Sequence, residues 1–349
     1  MKGLILAGGK STRLYPLTFA LPKPMVPVLN RPFLEHMIDW LRAHRVRDII
    51  LATGYLPEAI QAHFRSGRQY GVHIEYVVED TPLDTGGAIK NCEALLDEPF
   101  FVFNGDILTG LDLSDMAAQH ARTRAQVSIS LAWVEDPTAY GVIETDDSGR
   151  ILSFQEKPKP EEVTSHYINA GTYLFDPEML TMMPSSARFS IEKDFYPQAL
   201  GRGVHMYGYR DSSYWLDIGT TEKYIQAHRD ILSGKLDRRG NGDLIAPGIW
   251  AGIDTDIAAD ARLIAPSVAG ERCVIGAKAV VGPFAVLGDD VRVEAGAHVA
   301  DSVVWNGTVI GAGARVERCV AGREVVIAPG MRLEGRAFAD QEQVLSEAA

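Results

Sequence analysis

Between Leu6 and Lys23 the chain concentrates groups suited to phosphate. An apolar run ends at Leu6-Ala7 and passes directly into Gly8-Gly9-Lys10-Ser11-Thr12-Arg13. Two adjacent glycines let a ligand approach the backbone closely. The N–H groups of such a loop form a nest for phosphate oxygens. Arg13 adds a planar fork of donors. Lys23, set between Pro22 and Pro24, adds a second cation on a stiffened segment. Neither the G-x-G-x-x-G nor the G-x-x-x-x-G-K-[ST] pattern occurs, so the dinucleotide and Walker templates do not apply.

Two carboxylates and a lysine extend this set. Asp106 ends Phe101-Val-Phe-Asn-Gly-Asp, after an apolar strand, where open α/β sheets hold ligands; Asn-Gly-Asp is equally turn chemistry. Asp217 stands in Trp215-Leu-Asp-Ile-Gly219. Glu156-Lys157-Pro158 would, taken alone, be a surface pair of little consequence. No convincing Ser-His or Cys-His pair accompanies them. A phosphate monoester needs none, because with a second pKa of about 6 it is already an anion. Its attack on another phosphate is limited by repulsion and alignment, which cations and Mg²⁺ address.

The elements that must position these groups come in two textures. Up to about Leu232, short apolar runs alternate with amphipathic stretches. Strands are expected at 2–6, 48–53, 73–78 and 100–104, and helices at 32–44, 87–96 and 114–124. A hairpin is expected over 140–154 around Asp146-Asp-Ser-Gly. This alternation predicts an α/β domain with a mostly parallel sheet over residues 1–232. Residues 233–243 are polar and Gly-bearing, and are expected to be a linker.

Residues 244–335 carry a short internal repeat. Ile257, Leu263, Ala269, Ile275, Val281, Leu287, Val293 and Val299 recur at a fixed hexapeptide spacing, which slips by one near Trp305 and resumes at Ile310 and Val316. That period predicts a parallel β-helix whose interior is filled by the recurring aliphatic side chains. Residues 336–349 are expected to form a cap or tail.

The formal net charge of −12 argues against nucleic acid as a partner. No apolar run approaches the roughly 18 residues of a membrane span, and the opening lacks the pattern of a signal peptide. Cys92, Cys273 and Cys319 fit no disulfide framework or metal spacing, and read as small core residues of a cytoplasmic protein.

The order Gly-Gly, Thr-Arg-Leu, Pro-Leu-Thr and Pro-Lys-Pro within Gly8–Pro24 resembles the signature of the sugar nucleotidyltransferases, or NDP-sugar pyrophosphorylases. The family commonly has Gly where Ser11 stands. Further elements resemble the family along the chain: Asp84-Thr-Gly-Gly-Ala-Ile, the segment ending in Asp106, Tyr140-Gly141-Val, Glu156-Lys157-Pro158, Asn169-Ala-Gly171 and Trp215-Leu-Asp217-Ile-Gly219. The resemblance implies a Rossmann-like, GT-A-like α/β domain followed by a left-handed parallel β-helix of hexapeptide repeats. It implies an enzyme that joins an NTP to a sugar 1-phosphate and releases diphosphate.

Site roles follow from the same resemblance. Leu6, Ala7, Gly8, Gly9 and Gly86 would line the nucleotide, and Arg13 and Lys23 would hold its triphosphate. Asp106 and Asp217 would bind Mg²⁺. Gly141, Glu156, Asn169 and Gly171 would line the sugar, with Lys157 on its phosphate. Ser190-Ile-Glu-Lys193-Asp194-Phe resembles mannose-1-phosphate guanylyltransferases, pointing to GTP and mannose 1-phosphate; a plain helix start capped by Ser190 is the alternative.

Glucose 1-phosphate with UTP or dTTP, and a heptose 1-phosphate with GTP, compete within the class. A non-catalytic sugar-nucleotide-binding regulatory subunit competes from outside it. An acyltransferase would need a histidine base, for which the repeat offers His298. The β-helix is expected to serve homo-oligomer assembly.

Overall fold

The N-terminal apolar runs form a nine-stranded sheet. In chain order its strands are β1 (Gly3–Ala7), β2 (Asp48–Thr53), β3 (His73–Val78), β4 (Phe100–Asn104), β5 (Val127–Trp133), β6 (Gly141–Thr145), β7 (Ile151–Glu156), β8 (Tyr167–Phe175) and β9 (Met206–Arg210). They lie in the order β7-β6-β8-β4-β1-β2-β3, with β5 beside β8 and β9 beside β5. β1 runs parallel to both β2 and β4, and β2 runs parallel to β3. This parallel half reads as near-continuous apolar sequence because its central strands are buried on both faces, as in Ile49–Ala52 and Phe100–Phe103. On the other side, β8 runs antiparallel to β4, β5 and β6, and β6 and β7 form the expected hairpin.

Helices α1 (Phe33–Ala43), α2 (Pro57–Phe64), α3 (Asp84–Asn91), α4 (Leu113–Thr123) and α5 (Tyr196–Gly201) follow the amphipathic stretches. The helix expected over 87–96 instead begins at Asp84 and stops at Asn91, before a separate 3₁₀ turn at Glu93–Leu95. The cause is tertiary. The Gly87 N–H donates to the Phe189 carbonyl at 2.9 Å, and a Cβ at Gly87 would lie 2.5 Å from the Ala187 oxygen. Two glycines weaken a helix by about 1 kcal/mol each. Here they let residues 187–189 pack directly on its backbone.

The computed structural model describes residues 1–238, 240 and 242–345. The chain divides into two compact units, Met1–Gly9 with Met37–Trp215 and Lys10–His36 with Leu216–Ala349. The sheet belongs to the first. The glycine-rich signature is therefore cut: Gly8 and Gly9 go with the sheet, whereas Arg13 and Lys23 go with the C-terminal unit. The expected division at residue 232 followed chain order; this grouping does not.

The second unit is built on the β-helix. Short strands stack in register into three parallel sheets, with one antiparallel addition, Asp243–Ala246, at the start. One interior column runs Ile257, Ile275, Val293, Ile310, Ile327, Val344. Its members from Ile275 onward are buried, and each contributes about 1.5–3 kcal/mol by leaving water. The coil step is 18 residues at Glu271–Asp289 and 17 at Asp289–Asn306, which is the slip expected near Trp305. The 17-residue step then persists, as at Thr308–Val325 and Arg323–Asp340. Ala337–Phe338 and Gln343–Val344 continue the ladder into the stretch expected to be a tail. Arg239 and Asn241 of the expected linker, and residues 346–349, lie outside the described residues.

Within this unit a buried network joins the signature segment to the β-helix. Residues Pro27–Val28 and Arg31–Pro32 form a two-stranded ribbon. Its turn residues Leu29 and Asn30 have φ of 45° and 64°, the left-handed pair that a two-residue turn demands. Helix α6 (Thr221–Leu232) grips this turn. His228 Nδ1 donates to the Tyr224 carbonyl at 2.9 Å, so its Nε2 accepts from the Leu29 N–H at 3.2 Å. His36 Nε2 donates to the Val28 carbonyl at 2.8 Å. The Tyr224 hydroxyl donates to the Pro27 carbonyl and accepts from Trp305 Nε1 at 3.1 Å. Asn30 Nδ2 donates to the Leu287 carbonyl at 2.7 Å, and Arg229 pairs with Asp301.

Candidate active site

β1, β2 and β4 are parallel, so the loops after them leave one edge of the sheet, the edge at which open α/β folds hold ligands. Each loop opens with glycine. The Tyr55 N–H donates to the Gly8 carbonyl at 3.2 Å, and the Gly105 N–H donates to the Leu6 carbonyl at 3.0 Å. A Cβ at Gly54 would lie 3.1 Å from the Gly8 oxygen, and one at Gly105 would lie 2.5 Å from the Leu6 oxygen. Leu6 and Ala7 end β1 beneath these loops. Gly9 has open space where a Cβ would point. Glu79 stands beside Gly8, with its carboxylate accepting from the Leu83 N–H at 3.1 Å and burial raising its pKa. Asp106 follows Gly105 and is half-buried. Gly86, expected against the nucleotide, is buried with its Cβ direction filled by the Phe189 ring at 2.7 Å. Glycine there is demanded by the protein's own packing.

The expected sugar-site residues lie at the start of β6, at the end of β7 and at an irregularity within β8. Gly141 is the cross-strand partner of Glu156, and a Cβ on it would lie 3.0 Å from Glu156 Oε2. Lys157 turns the chain with a φ of 50°, and its N–H donates to the Tyr140 carbonyl at 2.9 Å. Its exposed ammonium lies 3.8 Å from Glu156 Oε1. In β8 the register shifts between Asn169 and Tyr173, and Gly171 takes a φ of +75°. Such a bulge re-aims side chains. Asn169 accepts from the Gly171 N–H at 3.0 Å and donates to the Tyr173 hydroxyl at 2.9 Å. Asn104 donates to the same hydroxyl at 3.4 Å, while its buried Oδ1 has no hydrogen-bond partner among the described residues. Trp215 Nε1 donates to the Ala170 carbonyl at 2.8 Å and meets the Tyr140 ring edge-on.

The Ser190–Phe195 segment adds a residue that sequence reasoning passed over. Ser190 caps a π-turn, Lys193 is exposed, and Glu192 turns inward. Glu192 Oε2 accepts from Thr85 Oγ1 and from Ser190 Oγ, each at 2.8 Å. Burial raises its pKa, and so does the nearby Glu156. Burial, then Glu192, holds the Tyr173 hydroxyl protonated well above its usual range. Glu192 thus ties the 84–87 glycine segment to the group around Tyr173. Nothing in the local pattern separates it from Lys193 and Asp194; the π-turn decides which side chain faces in.

In the second unit, Arg13 lies in a 3₁₀ turn, Thr12–Leu14, introduced by Ser11 at φ 50°. The position where the family commonly has Gly is thus left-handed here, and Ser11 adopts it. Lys23 begins a second 3₁₀ turn, Lys23–Met25, and is buried. Arg13 and Asp217 come together at Gly219: a Cβ there would lie 3.1 Å from Arg13 Nη2 and 3.2 Å from Asp217 Oδ2. Asp217 is 8% exposed, and its Oδ1 accepts from Lys223, a partner the sequence did not single out.

Asp106 and Asp217 each offer hard carboxylate oxygens. No three His, Cys, Asp or Glu side chains cluster among the described residues to hold a metal unaided. Asp106 and Asp217 belong to different units, and each is a carboxylate of the kind Mg²⁺ takes, one or two at a time, with water and substrate phosphate in its remaining positions. His298 occupies an ordinary ladder position between Val280 and Arg315, with Nδ1 3.9 Å from Glu317. The three cysteines are buried free thiols; burial pushes Cys92 up to about 12 and Cys273 up to about 11. No helix among the described residues is long and apolar enough to cross a membrane.

Comparison with known proteins agrees with both parts of the chain. A family model described as nucleotidyl transferase matches residues 2–234, and one described as GMPPB C-terminal domain matches residues 263–348. A mannose-1-phosphate guanylyltransferase of Mycobacterium tuberculosis is 37% identical over 303 residues, covering 84% of this chain and 81% of the relative. A UTP–glucose-1-phosphate uridylyltransferase of Synechocystis is 34% identical over 358 residues, covering 97% and 92%. Among solved structures, HddC from Yersinia pseudotuberculosis complexed with GMP-PN superposes with a TM-score of 0.56 at 30% identity, covering 65% of this chain and 97% of that one. With the glycine loops at the carboxyl edge of the sheet and a matching model over most of its length, this chain belongs to the nucleotidyl transferase family.

Proposed function

We propose that this enzyme joins GTP to mannose 1-phosphate, giving GDP-mannose and diphosphate. The observation that carries the substrate choice is the likeness to the mycobacterial mannose-1-phosphate guanylyltransferase along 84% of the chain. The GMPPB match over 263–348 supports it.

In the reaction a phosphate oxygen of the sugar phosphate attacks the α-phosphorus of GTP. A new phosphorus–oxygen bond forms, the α–β bridge breaks, and diphosphate leaves with the bridging oxygen. The loop N–H groups at Gly8 and Gly9 hold phosphate, and Leu6, Ala7 and Gly86 form the nucleotide's surroundings. Arg13 and Lys23 neutralise the triphosphate and the departing diphosphate. Lys157, exposed at the surface, takes the phosphate of the incoming sugar, while Glu156, Gly141, Asn169 and Gly171 form the sugar pocket. Asp106 and Asp217 would hold Mg²⁺, which when bound supplies charge neutralisation on phosphate oxygens. Buried, unreactive thiols support a reducing, cytoplasmic setting, and the long flat sheets of the β-helix support homo-oligomer assembly.

Glucose 1-phosphate with UTP is the second reading, favoured by the Synechocystis relative. Diphosphate release with each of four NTPs against mannose, glucose and heptose 1-phosphates, with Mg²⁺ present, separates them. GTP with mannose 1-phosphate should be fastest; a higher kcat/KM for UTP with glucose 1-phosphate would reverse the assignment. Release with no pair would favour the regulatory, non-catalytic alternative.

A further inference from the structure

We propose that the β-helix is part of the nucleotide site's positioning apparatus, with Tyr224 and Trp305 as positioning residues that hold the Lys23-bearing segment in place. The proposal rests on the reading that Lys23 and Arg13 hold the triphosphate.

Lys23 sits four residues before Pro27, on a run stiffened by Pro22 and Pro24. Displacing Pro27 therefore displaces the lysine. The Pro27 carbonyl is held by the Tyr224 hydroxyl, and that hydroxyl by the indole N–H of Trp305 in the β-helix. Tyr224 is 0% and Trp305 2% exposed, so water cannot substitute for either bond.

The next two residues explain why such a hold is needed. Leu29, at φ 45°, has a conformation that costs a bulky side chain free energy and persists only where its surroundings over-determine it. The surroundings are His228 on its N–H, His36 on the preceding carbonyl, and Asn30 reaching the Leu287 carbonyl of the β-helix. Every one of these contacts lies within the unit that contains both Lys10–His36 and the β-helix. A module serving only assembly would have no reason to supply the donor for a tyrosine that grips the phosphate segment.

The test is steady-state kinetics of Trp305→Phe, Tyr224→Phe and Asn30→Ala in the full chain, with Lys23→Ala as a control and melting temperature recorded for each. Trp305→Phe keeps an aromatic ring and removes the donor together with the indole's second ring, so the melting temperature accounts for the lost packing. All three should raise KM for GTP roughly fivefold or more, with kcat and KM for mannose 1-phosphate changed less than about twofold. Faster amide exchange across residues 24–30 in Trp305→Phe should accompany the change. A lower melting temperature with both KM values unchanged would reduce these residues to structural supports and overturn the proposal. Equal rises in both KM values would overturn it too. If Tyr224→Phe does not fold, the half-buried Asn30→Ala decides. An unaltered KM for GTP in Lys23→Ala would instead remove the nucleotide-holding reading beneath it, a separate failure.

Discussion

Mild acid should loosen the second unit through two histidines. His36 and His228 are each 1% exposed, and burial pushes each from an ordinary value near 6.5 down to about 4. In both, desolvation is the largest cause; Arg31 and Arg238 add to it at His36, and His36 adds to it at His228. A lowered folded pKa means that between pH 6.5 and 4 the unfolded chain binds the protons and the folded chain does not. Stability therefore falls as pH falls through that window. At about pH 5 the difference is about 2 kcal/mol for each histidine, or about 4 kcal/mol if the two act independently. Geometry points the same way: protonating His228 turns the acceptor of the Leu29 N–H into a second donor facing it. The assay is urea unfolding followed by tryptophan fluorescence, which includes buried Trp305, at about pH 7.5 and about pH 5. His120, buried in the first unit and also lowered, has the same sign, so the variants carry the test. Glutamine can reproduce the hydrogen bond of either ring without titrating. The double variant His36→Gln, His228→Gln should lose about 4 kcal/mol of acid dependence, and each single variant about half. An unchanged acid slope in the double variant would refute the reasoning.

Three further outcomes follow from the site. Lys157→Ala should raise KM for the sugar phosphate more than tenfold while leaving KM for the NTP within about twofold; an unchanged dependence on sugar phosphate concentration removes that role. Asp217→Asn should lower turnover about 100-fold or more and raise the Mg²⁺ concentration needed for half-maximal rate, without altering the fold by circular dichroism; wild-type Mg²⁺ dependence would contradict the assignment. Gly87→Ala puts a methyl group 2.5 Å from the Ala187 oxygen, and should destabilise the first unit by about 1–3 kcal/mol in chemical unfolding; a neutral effect would mean that residues 187–189 yield easily.

The central parallel strands were legible because strands buried on both faces must be continuous apolar runs, and 48–53 and 100–104 match the observed limits; the more exposed edge strand at 73–78 matches as well, through its β-branched and aromatic residues. The β-helix was legible because its interior column repeats with the coil. The persistence of the 17-residue step past Trp305 was harder to see, since each short coil hides its slip among small residues. What escaped the sequence was long-range. No local pattern announces that His228 receives the Leu29 N–H across 199 positions, or that Asn30 reaches Leu287 across 257. The grouping of Lys10–His36 with the C-terminal unit rests on such bonds. Glu192 and Lys223 were likewise invisible, one selected by a π-turn and the other by one turn of α6 reaching back to Asp217. The candidate site residues were proposed from motif order, and they occupy varied settings: Asp106, Gly141 and Glu156 lie at or beside strand ends, Arg13 and Lys23 in 3₁₀ turns, and Gly86 within α3.

The most direct measurement is ³¹P NMR of the purified protein mixed with GTP, mannose 1-phosphate and Mg²⁺. The account predicts the paired resonances of GDP-mannose growing in step with free diphosphate, one for one. GTP consumed to GDP and inorganic phosphate, or a spectrum that does not change with time, would contradict it.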